Sequence, residues 1–266
     1  MIDKDPAWRP TAVFPRSELE TLISDERIPH DRRMLYALEF LTGARPSEVS
    51  LLTWASYDTE TEPLGKLVVA FAYDRRNKKV KSTKTQVTRE VPVHPTLAKI
   101  LAEWKLGGWA TMMGRNPEAN DLIIPSREGR HRTASTMLKR FHQDLERVGL
   151  RRRRHYDAKR TFISLTRADG ARDDVLKRVT HARPKDVFDE YTTFPWSTLC
   201  EAVSCLKIGL KEGKVLPLAA VSRLGTGRGT GGIGAASNGL NSPVGPALAI
   251  AGKWRGVRDS NPWPPA

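Results

Sequence analysis

The stretch LTGARPSEVSLLTW, Leu41–Trp54, decides how this chain is read. It ends one apolar pattern, presents a cation and starts a new helix within a few residues. Just upstream, DRRMLYALEFLT (31–42) puts Leu35, Leu38 and Leu41 on one face at helical spacing. Gly43 is suited to close that helix in the left-handed conformation, which costs glycine no Cβ clash. Pro46 then fits the first turn of the next helix, where its missing N–H is no loss, and Glu48 is favourable near the positive helix end. That second helix is expected to continue through VSLLTW and to bury Val49, Leu52 and Trp54. Arg45 is thereby held at a helix junction.

Working outward, RSELETLIS (16–24) reads as a helix with Ser17 as N-cap and Glu20 three residues on, a capping-box pattern. LVVAFAY (67–73) reads as a strand. VKSTKTQVTREVPV (80–93) reads as two strands joined by a turn that carries Lys84. In its second half Thr88, Glu90 and Pro92 alternate with Arg89, Val91 and Val93, as in a half-buried strand. HPTLAKILAEW (94–104) returns to helix, GGWATMMGRNPEAND reads as a loop, and DLIIPS as a short apolar segment. Amphipathic helices follow over 133–150 and 157–170, with Gly170 stopping the second. Short helices lead on to Tyr191. PWSTLCEAVSCLKI (195–208) is a last helix with Trp196, Leu199, Val203 and Leu206 on one face. The fold class is therefore mostly α with a small antiparallel β-sheet, an α+β arrangement occupying residues 1–210. From about Lys211 the chain is rich in Gly, Ser and Pro without periodicity, and 211–266 reads as a flexible tail.

Composition narrows the partner. The chain has 266 residues, with 44 Lys and Arg against 30 acids, a net charge of +14 and a pI of about 10.0. That excess points to a polyanion, most often nucleic acid, against the plainer reading of an inert basic surface. Cys200 and Cys205 match no metal-ligand spacing and read as reduced core thiols of a cytoplasmic protein. No apolar run approaches the ~20 residues of a membrane span, so no membrane partner is expected.

Two further stretches carry chemistry. RRRRHYDAKRTF (151–162) joins a basic run to a helix start, and THARPKDVFDEYTTFPW (180–196) sets His181 and Tyr191 ten positions apart. With Arg45 and Lys84, these boxes resemble, in order and in spacing, the catalytic domain of the tyrosine recombinase (phage integrase) family. That pattern has an arginine in a TGxRxxE box, a lysine on a β-hairpin, an H-x-x-R box, and a histidine or tryptophan about ten residues before a tyrosine. The match spans roughly residues 12–208 and implies double-stranded DNA as partner and no cofactor or metal.

The resemblance implies that Tyr191 attacks a DNA phosphorus and forms a 3′-phosphotyrosine, which stores the bond energy for rejoining. A phenol with a pKa near ~10 needs a base or an electropositive pocket to do this. Arginine suits the charged transition state because its fork binds two oxygens and stays charged. Arg45 would be the first phosphate-binding arginine, Glu48 its structural partner, Lys84 the general acid for the departing 5′ oxygen (with Lys81 close by) and His181 a donor to the scissile phosphate. Each has a plainer reading: a helix-cap contact for Arg45, a solvated turn lysine for Lys84, a structural histidine for His181 and a packed tyrosine for Tyr191.

The third box departs from the pattern. Aligned on the Thr161–Phe162 pair that follows it, the family histidine falls on Tyr156 and the arginine on Lys159. His155 and Arg160 each lie one position off, about 100° around a helix. Lysine keeps the charge and loses the bidentate fork. Arg160 takes the role only if the helix start is rewound. Arg151, Arg152, Arg153 and Arg154 would hold the DNA backbone, or form a solvated basic face, and Arg160 is a further candidate DNA contact. The region resembling the catalytic domain begins almost at Met1, so the N-terminal helical domain of the family is expected to be absent and the grip on DNA weaker. Recombination in the family implies a tetramer on DNA, and the last helix is one that exchanges between subunits there. Two functions follow from these readings: a recombinase with impaired cleavage, or a non-catalytic DNA-binding module. An RNA-associated protein ranks below both, for want of a stacking-aromatic motif.

Overall fold

The structure, a computed structural model, describes residues 11–74, 79–82, 88–180 and 191–210. They lie within one compact unit. The expected tail, Lys84 and His181 lie outside the described residues.

Helices α1 (Arg16–Ser24) and α2 (His30–Thr42) open the fold. Every residue of α2 from Met34 to Thr42 is buried, because α1, α4 and α7 surround it. The expected Ser17 cap is not used. Pro15 occupies the N-cap position without a side-chain hydrogen bond, and its carbonyl accepts from Glu18 and Leu19. Helix α3 (Pro46–Val49) is a single turn rather than a helix running to Trp54. The chain leaves it and forms a 3₁₀ turn at Trp54–Ser56, because Trp54 N–H and Ile123 N–H bond across to the carbonyls of Asp121 and Leu52. Val49, Leu52 and Trp54 are buried as expected.

The β structure divides in two. Strands β1 (Tyr57–Asp58), β2 (Lys66–Val69) and β5 (Arg89–Pro92) form an antiparallel sheet in the order β1-β2-β5. Strands β3 (Phe71–Asp74) and β4 (Lys79–Ser82) form a separate antiparallel pair with Tyr73 opposite Val80. The run LVVAFAY is thus two strands in two sheets, not one. The two strands expected over 80–93 exist but pair with β3 and β2, not with each other. In β5 the buried side is Arg89, Val91 and Val93, with Glu90 exposed between. Arg89 sits opposite Val69 on the core side of the sheet.

Helix α4 (Pro95–Glu103) continues through a π turn, Trp104–Gly108, into α5 (Trp109–Met113). The first part of the segment read as a loop, 107–113, is therefore helical, while 114–121 is turn and irregular chain as read. Its two indoles anchor it: Trp104 Nε1 donates to Ile123 O at 2.7 Å and Trp109 Nε1 to Leu122 O at 2.9 Å. Two glycines alone do not overcome that tertiary grip. Helix α6 (Ala134–Arg147) is capped by the Thr133 hydroxyl, and α7 (Asp157–Ala168) and α8 (Asp173–Val179) follow.

Helix α9 (Trp196–Ser204) packs on α8 and β5 of its own chain, with Val203 and Leu206 buried. A His94 ring nitrogen lies 2.8 Å from Leu206 O, Lys207 N–H donates to Asp169, and Gly209 N–H to Glu20. The helix that the resemblance implied for exchange is seated within the chain. Cys200 and Cys205 are free thiols. Among the described residues no helix is long and apolar enough to cross a membrane.

Candidate functional site

Each letter of TGARPSE has a local task. Thr42 Oγ1 donates to Leu38 O and accepts from Ala44 N–H. Gly43 adopts φ 62 and ends α2. A Cβ there would also come within 2.8 Å of the Phe162 ring on α7, so only glycine suits both the turn and the contact. Arg45 is the N-cap of α3, and its backbone N–H donates to Glu48 Oε2 at 2.8 Å. Its guanidinium donates to the same carboxylate, Nη1 to Oε1, at 3.0 Å.

Glu48 is buried and holds two arginines. Its Oε2 also accepts from Arg89 Nη2 at 3.1 Å, reached from strand β5. Arg89 is 5% exposed. A buried guanidinium is tolerable only with such a partner, since an unpaired buried charge costs several kcal/mol or more. The side chain of Arg45, in contrast, is 35% exposed. Burial works against its charge, but Glu48 and the neighbouring Tyr156 hydroxyl outweigh that and hold it above its ordinary value.

Lys159 completes the cluster from α7. Its Nζ donates to the Thr180 carbonyl, at the end of α8, at 2.7 Å. Burial, then the charges of Arg89 and Arg45, pull its pKa from the ordinary 10.5 to about 8, with Glu48 opposing. Thr180 directly precedes His181 in the chain. Arg45, Tyr156 and Lys159 thus share one electropositive locus built on the Glu48–Arg89 pair. The pair was missed as a unit in the sequence, although the signal was present: Arg89 falls on the same side as Val91 and Val93 in an alternating strand.

The neighbours of the third box point elsewhere. His155 is buried, lies 2.6 Å from Glu39 Oε2 and stacks on Phe141 with centroids 4.8 Å apart. Burial pushes the Glu39 carboxyl up, and His155 opposes this. Arg160 lies 3.5 Å from Asp157 Oδ1 on its own helix. Helix α7 begins at Asp157, without the rewinding that would bring Arg160 round.

The arginine run does not form one exposed face, which corrects the expectation for it. Arg153 turns inward, because it pairs with Glu18 at 2.6 Å and its guanidinium stacks 4.2 Å from the Phe14 ring centroid. Arg151 donates to the Thr11 carbonyl. The Arg154 amide donates to the Asp157 carboxylate at the start of α7. Arg152 remains exposed near Glu146 and lines an open groove with Lys139, His142 and Gln143. Tyr191 is 83% exposed, and Arg178 of α8 donates to the carbonyl of the next residue, Thr192.

Comparison with solved structures shows which fold this is. XerA recombinase is 17% identical with a TM-score of 0.50, covering 71% of this chain and 62% of that one. The Tn1549 transposon integrase in complex with transposon right end DNA is also 17% identical at 0.50, covering 70% and 62%. The integrase from mycobacterium phage Brujita is 13% identical at 0.49, covering 72% and 56%. The chain has the fold of tyrosine recombinase catalytic domains. It spans about 56% to 62% of the length of these three structures. No protein-family model and no curated protein matches the chain.

Proposed function

We propose that the protein binds duplex DNA and cuts and rejoins it through a phosphotyrosine at Tyr191. The observation that carries this reading is the locus of Arg45 and Lys159 on the Glu48–Arg89 pair. It gathers cations from α3 and α7, with a third from β5 behind them, beside the residue that precedes His181. Such a locus suits a phosphodiester, whose transition state gains negative charge. The fold likeness and the net charge of +14 agree with it, and the Tn1549 integrase is seen with DNA. In this reading Lys84 gives the proton to the departing oxygen, His181 binds the phosphate, and Arg152 with Arg151 and Arg154 touches the backbone. Oligomerisation on DNA and a cytoplasmic setting belong to the same proposal.

Lys159 in place of a forked arginine favours a second reading, a DNA-binding module without chemistry. One experiment separates the two. Protein incubated with fragmented DNA of its own source yields an SDS-stable adduct that Tyr191→Phe abolishes. Salt-sensitive binding with no adduct leaves only the second reading.

Charge on Lys159 also predicts a pH dependence. Its pKa of about 8 means that it meets phosphate as a cation below pH 8 and loses that charge above it. DNA affinity at fixed salt is expected to fall between pH 7 and pH 9 in the parent and to stay nearly flat in Lys159→Arg, measured by fluorescence anisotropy. Equal slopes in the two proteins contradict the assignment.

A further inference from the structure

Arg89 is buried, yet its charge bears on both half-buried cations of the site. It holds Glu48 Oε2 while Arg45 holds Oε1, so one carboxylate is clamped from two sides. Burial and the charge of Arg45 pull the Arg89 guanidinium below its ordinary value, and Glu48 opposes them. Arg89 is also the foremost charge acting on Lys159. We propose that Arg89 is a positioning residue: through Glu48 it fixes the Arg45 guanidinium and sets a buried positive charge behind the phosphate-binding locus. This rests on the phosphate-binding reading of Arg45 and Lys159 given above and deepens it.

The surroundings of Lys159 leave Arg89 a clear part. From α3 it faces Arg45 and Glu48, from β5 Arg89, and from the end of α8 the Thr180 carbonyl. On its own helix Asp157 is occupied by the Arg154 amide and Arg160, and Tyr156 stands beside Arg45. On α2, Glu39 is turned to His155. His181, next to Thr180, is outside the described residues. Glu48 and Arg89 are both buried and held by each other, and of the buried pairs named here theirs is the one that also holds Arg45.

The test titrates Lys159 directly in the full chain, by the Cε resonance in lysine-labelled protein, assigned by its loss in Lys159→Arg. The parent is expected to titrate near pH 8. In Arg89→Met the midpoint moves up toward the ordinary lysine range. In Arg89→Lys, which restores a buried cation, it returns toward the parental value. A midpoint unmoved in folded Arg89→Met overturns the proposal. If that variant does not fold, Glu48→Gln/Arg89→Met removes both buried charges at once. A smaller upward shift is expected there because Arg89 outweighs Glu48 at Lys159, and an unmoved or lowered midpoint again overturns it. A second readout follows Arg45: misplacing a phosphate donor by about 1 Å costs on the order of 10²-fold in rate. At pH 7, where Lys159 is charged in parent and variant alike, Arg89→Met should therefore lose about that in strand cleavage with a much smaller change in duplex affinity, and Arg89→Lys should recover most of the rate. The titration needs no DNA chemistry, so it stands or falls separately from the recombinase reading. An absent adduct in the parent refutes that reading and leaves the Lys159 midpoint to decide this one.

Discussion

Replacing Arg45 by alanine is expected to lower the single-turnover rate of strand cleavage by ~10²–10³-fold while changing duplex affinity far less. Three cations meet at the site, but they are not equivalent. Arg89 is 5% exposed and committed to Glu48. Lys159 is shared with the Thr180 carbonyl and is a point charge that titrates near pH 8. Arg45 alone among the three offers a fixed, partly exposed fork that stays charged. Arg45→Lys keeps the charge, loses the fork and is expected to fall between parent and Arg45→Ala. The fold should survive both, because Glu48 keeps its bond to Arg89. Cleavage in Arg45→Ala at the parental rate would remove Arg45 from the chemistry.

Asp144→Ala is expected to cost about 3–5 kcal/mol of stability, the penalty for stripping one partner from a buried charge network. Asp144 is fully buried on α6 and accepts from the Tyr36 hydroxyl at 2.8 Å and from Arg32 Nη2 of α2 at 3.0 Å, with Arg32 Nε 2.7 Å from its other oxygen and Arg147 also paired with it. Arg32 is 11% exposed, so it cannot turn to water for compensation. Loss of the carboxylate also leaves the Tyr36 phenol, on a fully buried ring, without its acceptor. For a unit of this size that corresponds to a fall in Tm of roughly 6–20 °C. Asp144→Asn, which retains one acceptor oxygen, should cost less. Urea denaturation of both variants measures the difference, and a loss below about 1 kcal/mol in Asp144→Ala would show that α2 and α6 do not depend on this clamp.

What the sequence could show of this molecule was mostly local. The end of α2 at Gly43 and the restart at Pro46 with Glu48 in the first turn are decided within seven residues, and they stand as read. The length of α3 was not readable, because the bonds from 121–123 that pull the chain into a 3₁₀ turn come from 70 residues away. The same holds for the segment at Gly107 and Gly108, where paired glycines suggest a loop and two indole bonds impose helix. LVVAFAY gave no sign of changing sheets, since each half alone is a sound strand.

At the site, alignment on Thr161–Phe162 put Tyr156 and Lys159 in the frame that faces Arg45. His155, the better chemical match by name, is held by Glu39, and Arg160 lies beside Asp157 on its own helix. The inward turn of Arg153 depends on Glu18 and Phe14 at the other end of the chain, and no pattern within a run of four arginines separates it from its neighbours. Arg89 was visible only as a charge on the apolar side of a strand. Its meaning required Glu48, 41 residues earlier.

The most direct test of the central claim is the identity of the amino acid that carries DNA after cleavage. A nicked or fragmented duplex is incubated with the full chain, the adduct is isolated under denaturing conditions, and the residual nucleotide is located by peptide mass spectrometry. The account predicts a 3′-phosphotyrosine linkage on Tyr191 and on no other residue, lost in Tyr191→Phe. An adduct on another residue, or parental binding with no adduct at any pH between 6 and 9, would contradict it.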